Sequence, residues 1–250
     1  MKTTAPLAKR RRIIGAMCMG AALILGAVLW VQRGPDLTDV PNLSYVPELT
    51  EVRLPHGKTL YVQVHEVTLA DWNRCFDAGA CALQLRPPVG RAAQVFPATG
   101  ISWIDANDYI AWINRNARHK FRLPTSAEWL SIAAGVIPDK PAPLFASPNL
   151  DWASAYLVEG LKSRRLEAAG SYSVTQDGVA DLDGNVWEWT QDCFNDPNLP
   201  SDRCPAFYVM GEHEAVMSFL VRDPARGGCA VGSPPAHLGM RLVTDSKPGA

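Results

Sequence analysis

The chain has no CxxC pair, no HxxxH spacing and no D-x-D-x-D-G ladder with a distal glutamate, so zinc-ribbon, zinc-protease and EF-hand chemistries find no motif in it. It also lacks a surplus of either charge: 24 Lys and Arg stand against 25 Asp and Glu. No basic stripe is interleaved with aromatic residues, which removes nucleic acid from the candidate partners. No segment recurs at a fixed period and no regular alternation of strand and helix signals marks a doubly wound sheet. Disorder is excluded too, because 47% hydrophobic residues in a 250-residue chain can fill a sizeable core.

One long hydrophobic run is present. Lys9-Arg10-Arg11-Arg12 precedes residues 13–31, which hold only apolar and small residues up to Val31. As a helix that run is roughly 28 Å long, close to the hydrocarbon thickness of a bilayer. Residues 13–31 are therefore expected to form a transmembrane signal anchor. The positive-inside rule then keeps residues 1–12 in the cytoplasm and sends the remainder across the bacterial inner membrane as a single-pass periplasmic domain. Cleavage as a signal peptide is the alternative, although Val28-Leu29-Trp30-Val31 lacks the small-x-small exit.

Cysteine usage agrees with export. Cys18 sits in the apolar run, leaving Cys75, Cys81, Cys193, Cys204 and Cys229 for an oxidising compartment. Cys75 with Cys81 and Cys193 with Cys204 are the expected disulfides, since each closes a short loop containing turn-formers. Other pairings remain open from sequence alone, and Cys229 is the odd one out.

Residues 32–48 read as a polar, proline-bearing linker, residues 49–245 as a folded domain and residues 246–250 as a tail. Leu60 to Val67 carries a strand signature, with His65 a structural part of it, and Thr68 caps a helix reaching Cys75. Ser102 with Asp105 forms a capping box for a second helix, whose Trp103, Ala106, Ile110, Ile113 and Ala117 recur at helical spacing; Trp103 and Ile110 are expected inside. Thr125 with Glu128 caps a third, with Trp129, Ile132 and Ala133 on its apolar face and Gly135 ending it. Residues 138–150 are a proline-rich connector. Helices early and short strands with long loops late indicate an α+β fold.

The stretch DLDGNVWEWTQDC, residues 181–193, admits two readings. Asp181, Gly184, Val186 and Glu188 can offer carboxylate, carbonyl, carbonyl and carboxylate oxygens to a hard cation such as calcium, with glycine letting the chain curl. The other reading is a tight turn at Asp183-Gly184 or Gly184-Asn185, anchored in the core by Trp187 and Trp189. Glu212-His213-Glu214 reads as solvated charge, because adjacent side chains on a strand point to alternate faces.

Several separated motifs occur in one order: Glu66-Val67-Thr68, Ile101-Ser102-Trp103, Phe121-Arg122-Leu123-Pro124-Thr125, Gly184-Asn185-Val186-Trp187-Glu188-Trp189, Arg226-Gly227-Gly228 and Leu238-Gly239-Met240-Arg241. Over roughly residues 50–245 this succession resembles the formylglycine-generating enzyme (sulfatase-modifying factor) family. The resemblance implies a loop-rich variant of the C-type-lectin-like α+β fold. It also implies structural calcium at Asp181, Gly184, Val186 and Glu188, and a second site beginning at Asn149 and Leu150.

Enzymes of that family oxidise a substrate cysteine with oxygen, using Cu(I) between two cysteines a few residues beyond the RGG motif. Here one cysteine, Cys229, follows the glycines directly and the segment before Leu238 is shortened. One thiolate does not make the two-coordinate soft-ligand site that Cu(I) favours. Met240 reads as core and His237 as a solvated loop residue, so neither supplies a second ligand. The iron-dependent sulfoxide synthases of the family carry an extra three-histidine domain for which the chain has no room. The expected function is thus a membrane-anchored periplasmic binding or accessory module, acting in maturation or secretion regulation with a protein partner and without copper. The alternative is a divergent metal-dependent oxidase working on a protein or thiol substrate through Cys229.

Overall fold

A computed structural model describes residues 40–137, 166–194, 196, 199–222 and 237–249. The chain divides into two units, Met1–Val40 and Pro41–Ala250, and every described residue except Val40 belongs to the second. The apolar run 13–31, the connector 138–150 with Asn149 and Leu150, and Cys229 lie outside the described residues. Among the described residues no helix is long and apolar enough to cross a membrane.

Three helices form where local capping dictates. Helix α1 spans Leu69–Asp77, and the Thr68 hydroxyl accepts the Asp71 N–H at 3.1 Å. Helix α2 spans Trp103–Ala117 behind a complete capping box: Ser102 Oγ accepts the Asp105 N–H and Asp105 accepts the Ser102 N–H at 2.8 Å. Helix α3, Ser126–Ile132, begins with the same device at Thr125 and Glu128. Each reciprocal pair satisfies amide groups that a helix start would otherwise leave without partners.

The buried face of α2 differs from the expected one. Ala106, Tyr109, Trp112, Ile113 and Ala117 are buried, whereas Trp103 and Ile110 are only half-buried. The Trp103 ring lies flat on Phe207 at 3.9 Å and its indole N–H donates to the Thr190 carbonyl, which holds it at the rim of the core. Trp112 and Tyr109 instead fill the centre, with Tyr109 stacked on Trp72 of α1 at 5.5 Å.

The strands make two small sheets. Strands β1 (Leu49–Arg53), β2 (Thr59–Gln63) and β7 (Val243–Thr244) pair antiparallel in the order β1-β2-β7. Strands β3 (Trp187–Cys193), β4 (Ala206–Met210), β5 (Glu214–Ser218) and β6 (Leu238–Gly239) form the second sheet in the order β5-β4-β3-β6, with β3 and β6 parallel. Strand β2 stops at Gln63, short of the expected Val67, because the chain bends at His65 and turns Glu66 into the interior. The architecture is α+β with short strands and long loops, as anticipated.

Both expected disulfides are present. Cys75–Cys81 closes the C-terminal end of α1, and Cys193–Cys204 joins the end of β3 to the approach of β4. The folded body starts earlier than expected, within the presumed linker. The Asn42 N–H donates to the Ala117 carbonyl at 2.8 Å and Tyr45 packs edge-on against Trp112, so residues from Pro41 onward are part of the body. At the other end, the Ser246 carbonyl lies 3.0 Å from His119 Nε2, which ties the start of the tail down as well.

Candidate functional site: a buried charge cluster beneath a clasped loop

Four charged side chains meet in the interior: Glu66 after β2, Asp181 before β3, Glu188 on β3 and Arg241 after β6, each no more than 1% exposed. Arg241 is the hub. Its Nε and Nη2 donate to Glu188 Oε1 at 3.0 and 2.8 Å, Nη1 donates to the carbonyls of Gln63 and Val64, and Nη2 also donates to that of Ala180 at 2.8 Å. The second Glu188 oxygen accepts the Trp129 indole N–H at 2.8 Å. One guanidinium thus joins the ends of both sheets to the loop before β3. Breaking such a buried pair by removing one member leaves an uncompensated charge and typically costs about 3–5 kcal/mol.

Glu66 is different. Both of its carboxyl oxygens are buried without a hydrogen-bond partner, and the nearest cation, Arg241 Nη2, is 4.0 Å away. Burial pushes its pKa up to about 8 against the pull of Arg241, with Glu188 and Asp181 adding to the rise. At neutral pH Glu66 is therefore a neutral acid. Of the other two acids, Glu188 holds the guanidinium directly and Asp181 turns to the loop amides.

Above the cluster lies a loop held by side chains of the motif at residues 181–185. Asp181 accepts the N–H groups of Gly170 and Tyr172 at 2.5 and 2.9 Å. Asp183 accepts the Ser173 N–H and hydroxyl, and Asn185 exchanges a pair of hydrogen bonds with the backbone of Glu167. Alternate residues of the motif thereby clasp residues 167–173 rung by rung. Asp181 and Asn185 adopt positive φ, 67° and 66°, conformations that Asp and Asn tolerate best among non-glycine residues. Gly184 is needed because the Tyr172 ring lies directly against its Cα, where any Cβ would collide.

The calcium expected from the sequence is tested by this geometry. Of the four expected ligand residues, Asp181 and Glu188 reach the same buried cluster, while Gly184 and Val186 form the turn between them, with the Gly184 carbonyl accepting the Val186 N–H at 2.8 Å. The donors are all oxygen, the cluster has one more carboxylate than guanidinium, and Glu66 presents two orphaned buried oxygens. Those features suit a hard cation. Among the described residues no three Asp, Glu, His or Cys side chains converge tightly enough to hold a metal unaided, so backbone carbonyls would have to complete the shell. Among the described residues the four cysteines are paired in two disulfides, so none of these four offers a free thiolate to a soft metal.

The other singled-out residues fall as follows. His65 is part-exposed, with its buried Nδ1 3.5 Å from Asp181 Oδ2. Met240 is core, as expected. His237 is half-buried, and its carbonyl accepts the Trp187 N–H. His213 corrects the solvated reading of Glu212-His213-Glu214: it is buried edge-on against Trp187 at 4.4 Å, while Glu214 is exposed. The hub itself was missed in the residue-level reading. A lone arginine between Met240, Leu242 and Val243 was the available signal, since a cation inside an apolar run must be paired if it is buried.

Comparison with known proteins agrees with this architecture. The sequence pattern of the sulfatase-modifying factor enzyme 1-like domain matches residues 29–246. The chain belongs to that family. The formylglycine-generating enzyme of Mycobacterium tuberculosis (strain ATCC 25618 / H37Rv) is 27% identical to this sulfatase-modifying-factor domain over 220 residues, covering 73% of this chain and 70% of the enzyme. The serine/threonine-protein kinase pkn1 of Chlamydia caviae is 29% identical over 133 residues, which are 53% of this chain and only 19% of the kinase. Two solved structures share the fold: PvdO from Pseudomonas aeruginosa (TM-score 0.50, 16% identity, 79% of this chain and 92% of that one) and Treponema denticola variable protein 1 (TM-score 0.51, 15% identity, 79% and 95%).

Proposed function

We propose that this sulfatase-modifying-factor domain is a membrane-anchored, periplasmic accessory module that binds a protein partner and has lost the family's oxidase chemistry. The observation that supports it is the commitment of Cys75, Cys81, Cys193 and Cys204 to two disulfides. Disulfides persist in exported proteins, which agrees with the anchor read from residues 13–31. They also leave Cys229 as the one thiol of the body, and a linear two-sulfur Cu(I) centre needs two. Calcium at Asp181, Gly184, Val186 and Glu188 serves the scaffold in this reading, fixing the loop before β3 and taking no part in a reaction.

The likeness to a formylglycine-generating enzyme favours a second reading, a divergent oxidase acting through Cys229. The two readings separate in one experiment on the full chain, purified from membranes and exposed to Cu(I). The accessory reading expects far less than one copper per chain, no oxygen uptake with thiol peptides, and recovery of a specific periplasmic or membrane protein after cross-linking in cells. One copper per chain that disappears in Cys229→Ser, together with oxygen consumption, would overturn it in favour of the oxidase.

A further inference from the structure

Between α1 and α2 the chain makes a loop that is held at both ends and exposed at its tip. On the incoming side the Asn73 side chain of α1 grips Leu85 twice, donating to its carbonyl at 2.8 Å and accepting its N–H at 3.1 Å, and the Trp72 indole N–H donates to the Leu83 carbonyl. On the returning side the carbonyls of Ala93 and Phe96 accept the Ala70 and Leu69 N–H groups of the same helix, at 3.1 and 2.8 Å, and Phe96 is buried. Between these clamps the Arg91 N–H donates to the Pro88 carbonyl at 3.0 Å. Gly90 alone of the four turn residues has a positive φ, 75°, which makes Pro88-Val89-Gly90-Arg91 a type II turn. Val89, at the second position, is fully exposed, and a Cβ on Gly90 would meet nothing within 4 Å. Arg86 and Arg91 flank it, both exposed. The Arg91 guanidinium lies 5.7 Å from the Phe96 ring, and no carboxylate among the described residues pairs with either arginine.

Nothing inside the fold accounts for this arrangement. A valine in water buries no surface, two guanidinium groups without carboxylates add no ion pair, and ordering the loop costs conformational entropy. A partner does account for it, because a loop already fixed in its bound shape loses little further freedom on association. A fluid bilayer moulds itself to any loop and gains nothing from a fixed turn, so the tip suits a preformed protein pocket. We propose that residues 86–91 are a docking knob for a protein partner, with Val89 entering an apolar pocket and Arg86 and Arg91 meeting carboxylates on its rim. An apolar anchor ringed by complementary charge lets a small contact be specific. The knob stands on the geometry of the loop; identifying its occupant with the partner of the accessory reading rests on that reading.

The test places a photo-crosslinking amino acid at Ala92, exposed beside the tip, in the full chain made in its own cells. Irradiation is expected to give one protein adduct whose crosslinked segment carries aspartate or glutamate. Arg86→Glu with Arg91→Glu lowers the adduct yield about tenfold or more, as does Val89→Asp, and neither change moves the melting temperature. A backbone-cyclised peptide of residues 85–93 competes for the adduct at about tenfold lower concentration than the linear peptide, which lacks the fixed turn. An adduct with lipid only, no adduct, or a yield that the charge and valine variants leave unchanged overturns the knob. Copper bound through Cys229 with oxygen consumption would defeat the accessory reading, while these yields still decide the knob.

Discussion

At the scale of the residue, Glu66 is the least comfortable group in the protein. A buried carboxyl with no donor to either oxygen stays folded by remaining protonated, and its pKa of about 8 against an ordinary 4.5 expresses that. The direction of the linkage follows. A folded-state pKa above the unfolded one gives stability that is complete below about pH 4.5 and is lost as pH rises through about 8. Glu66→Gln keeps the shape and removes the proton. In metal-free protein the variant is therefore expected to melt several degrees higher than the parent at pH 8 and to match it near pH 5. Thermal melts across pH 5–9 check this; parallel curves for the two proteins would mean that Glu66 does not titrate there. Arg241 behaves in the opposite way, because Arg241→Leu strands Glu188 in the core.

At the scale of the element, helix α3 is held at its start by more than its capping box. Glu128 accepts two bonds from Arg122, at 2.7 and 2.8 Å, and one from Lys58 at 2.7 Å, while Asp245 after β7 receives the same two cations. Arg122 and Lys58 outweigh the desolvation of Glu128 and lower its pKa to about 2, and they depress Asp245 as well. For a depressed carboxylate the stabilisation is present above the unfolded pKa near 4.5 and is lost as pH falls through about 2. After discounting for solvent around Lys58, Glu128→Gln is expected to cost about 1–2 kcal/mol at pH 7 and nothing at pH 2. Urea unfolding at the two pH values measures the difference, and an equal loss at both would leave only the cap itself as the cause.

These elements also show what a sequence discloses. Caps were legible because Ser102 with Asp105 and Thr125 with Glu128 are patterns four residues long. The disulfides were legible because each closes a short local loop. The hub was not, since Arg241 and Glu188 meet from positions 53 apart, and no periodicity encodes which carboxylate a buried arginine will find. The inward face of α2 was set by Phe207 seating Trp103 at the rim, a tertiary contact that outranks helical spacing. The motif at residues 181–188 also carries roles that its sequence did not disclose. Its acids and amide hold backbone N–H groups of residues 167–173, and its glycine yields to the Tyr172 ring.

At the scale of the molecule, two non-covalent layers depend on one interior point. Arg241 ties β2, β3 and the residues after β6 together, and Asp181, beside it, fastens the loop 167–173. A cation settling between Asp181 and Glu188 would stabilise both layers at once, because it binds the folded arrangement and not the unfolded chain. Calcium at one hundred times its dissociation constant is then worth about 2.7 kcal/mol, a rise of several degrees in the melting temperature for a domain of this size. Chelation is expected to lower the melting temperature of the full chain by that amount, calcium to restore it, and magnesium to do so poorly, since it resists a shell of flexible carbonyls. Asp181→Asn should weaken the calcium response, whereas Asp183→Ala should leave it intact and only expose residues 167–173 to proteolysis. If chelator and calcium leave the melting curve unmoved while Arg241→Leu collapses it, the guanidinium is the only cation this interior needs.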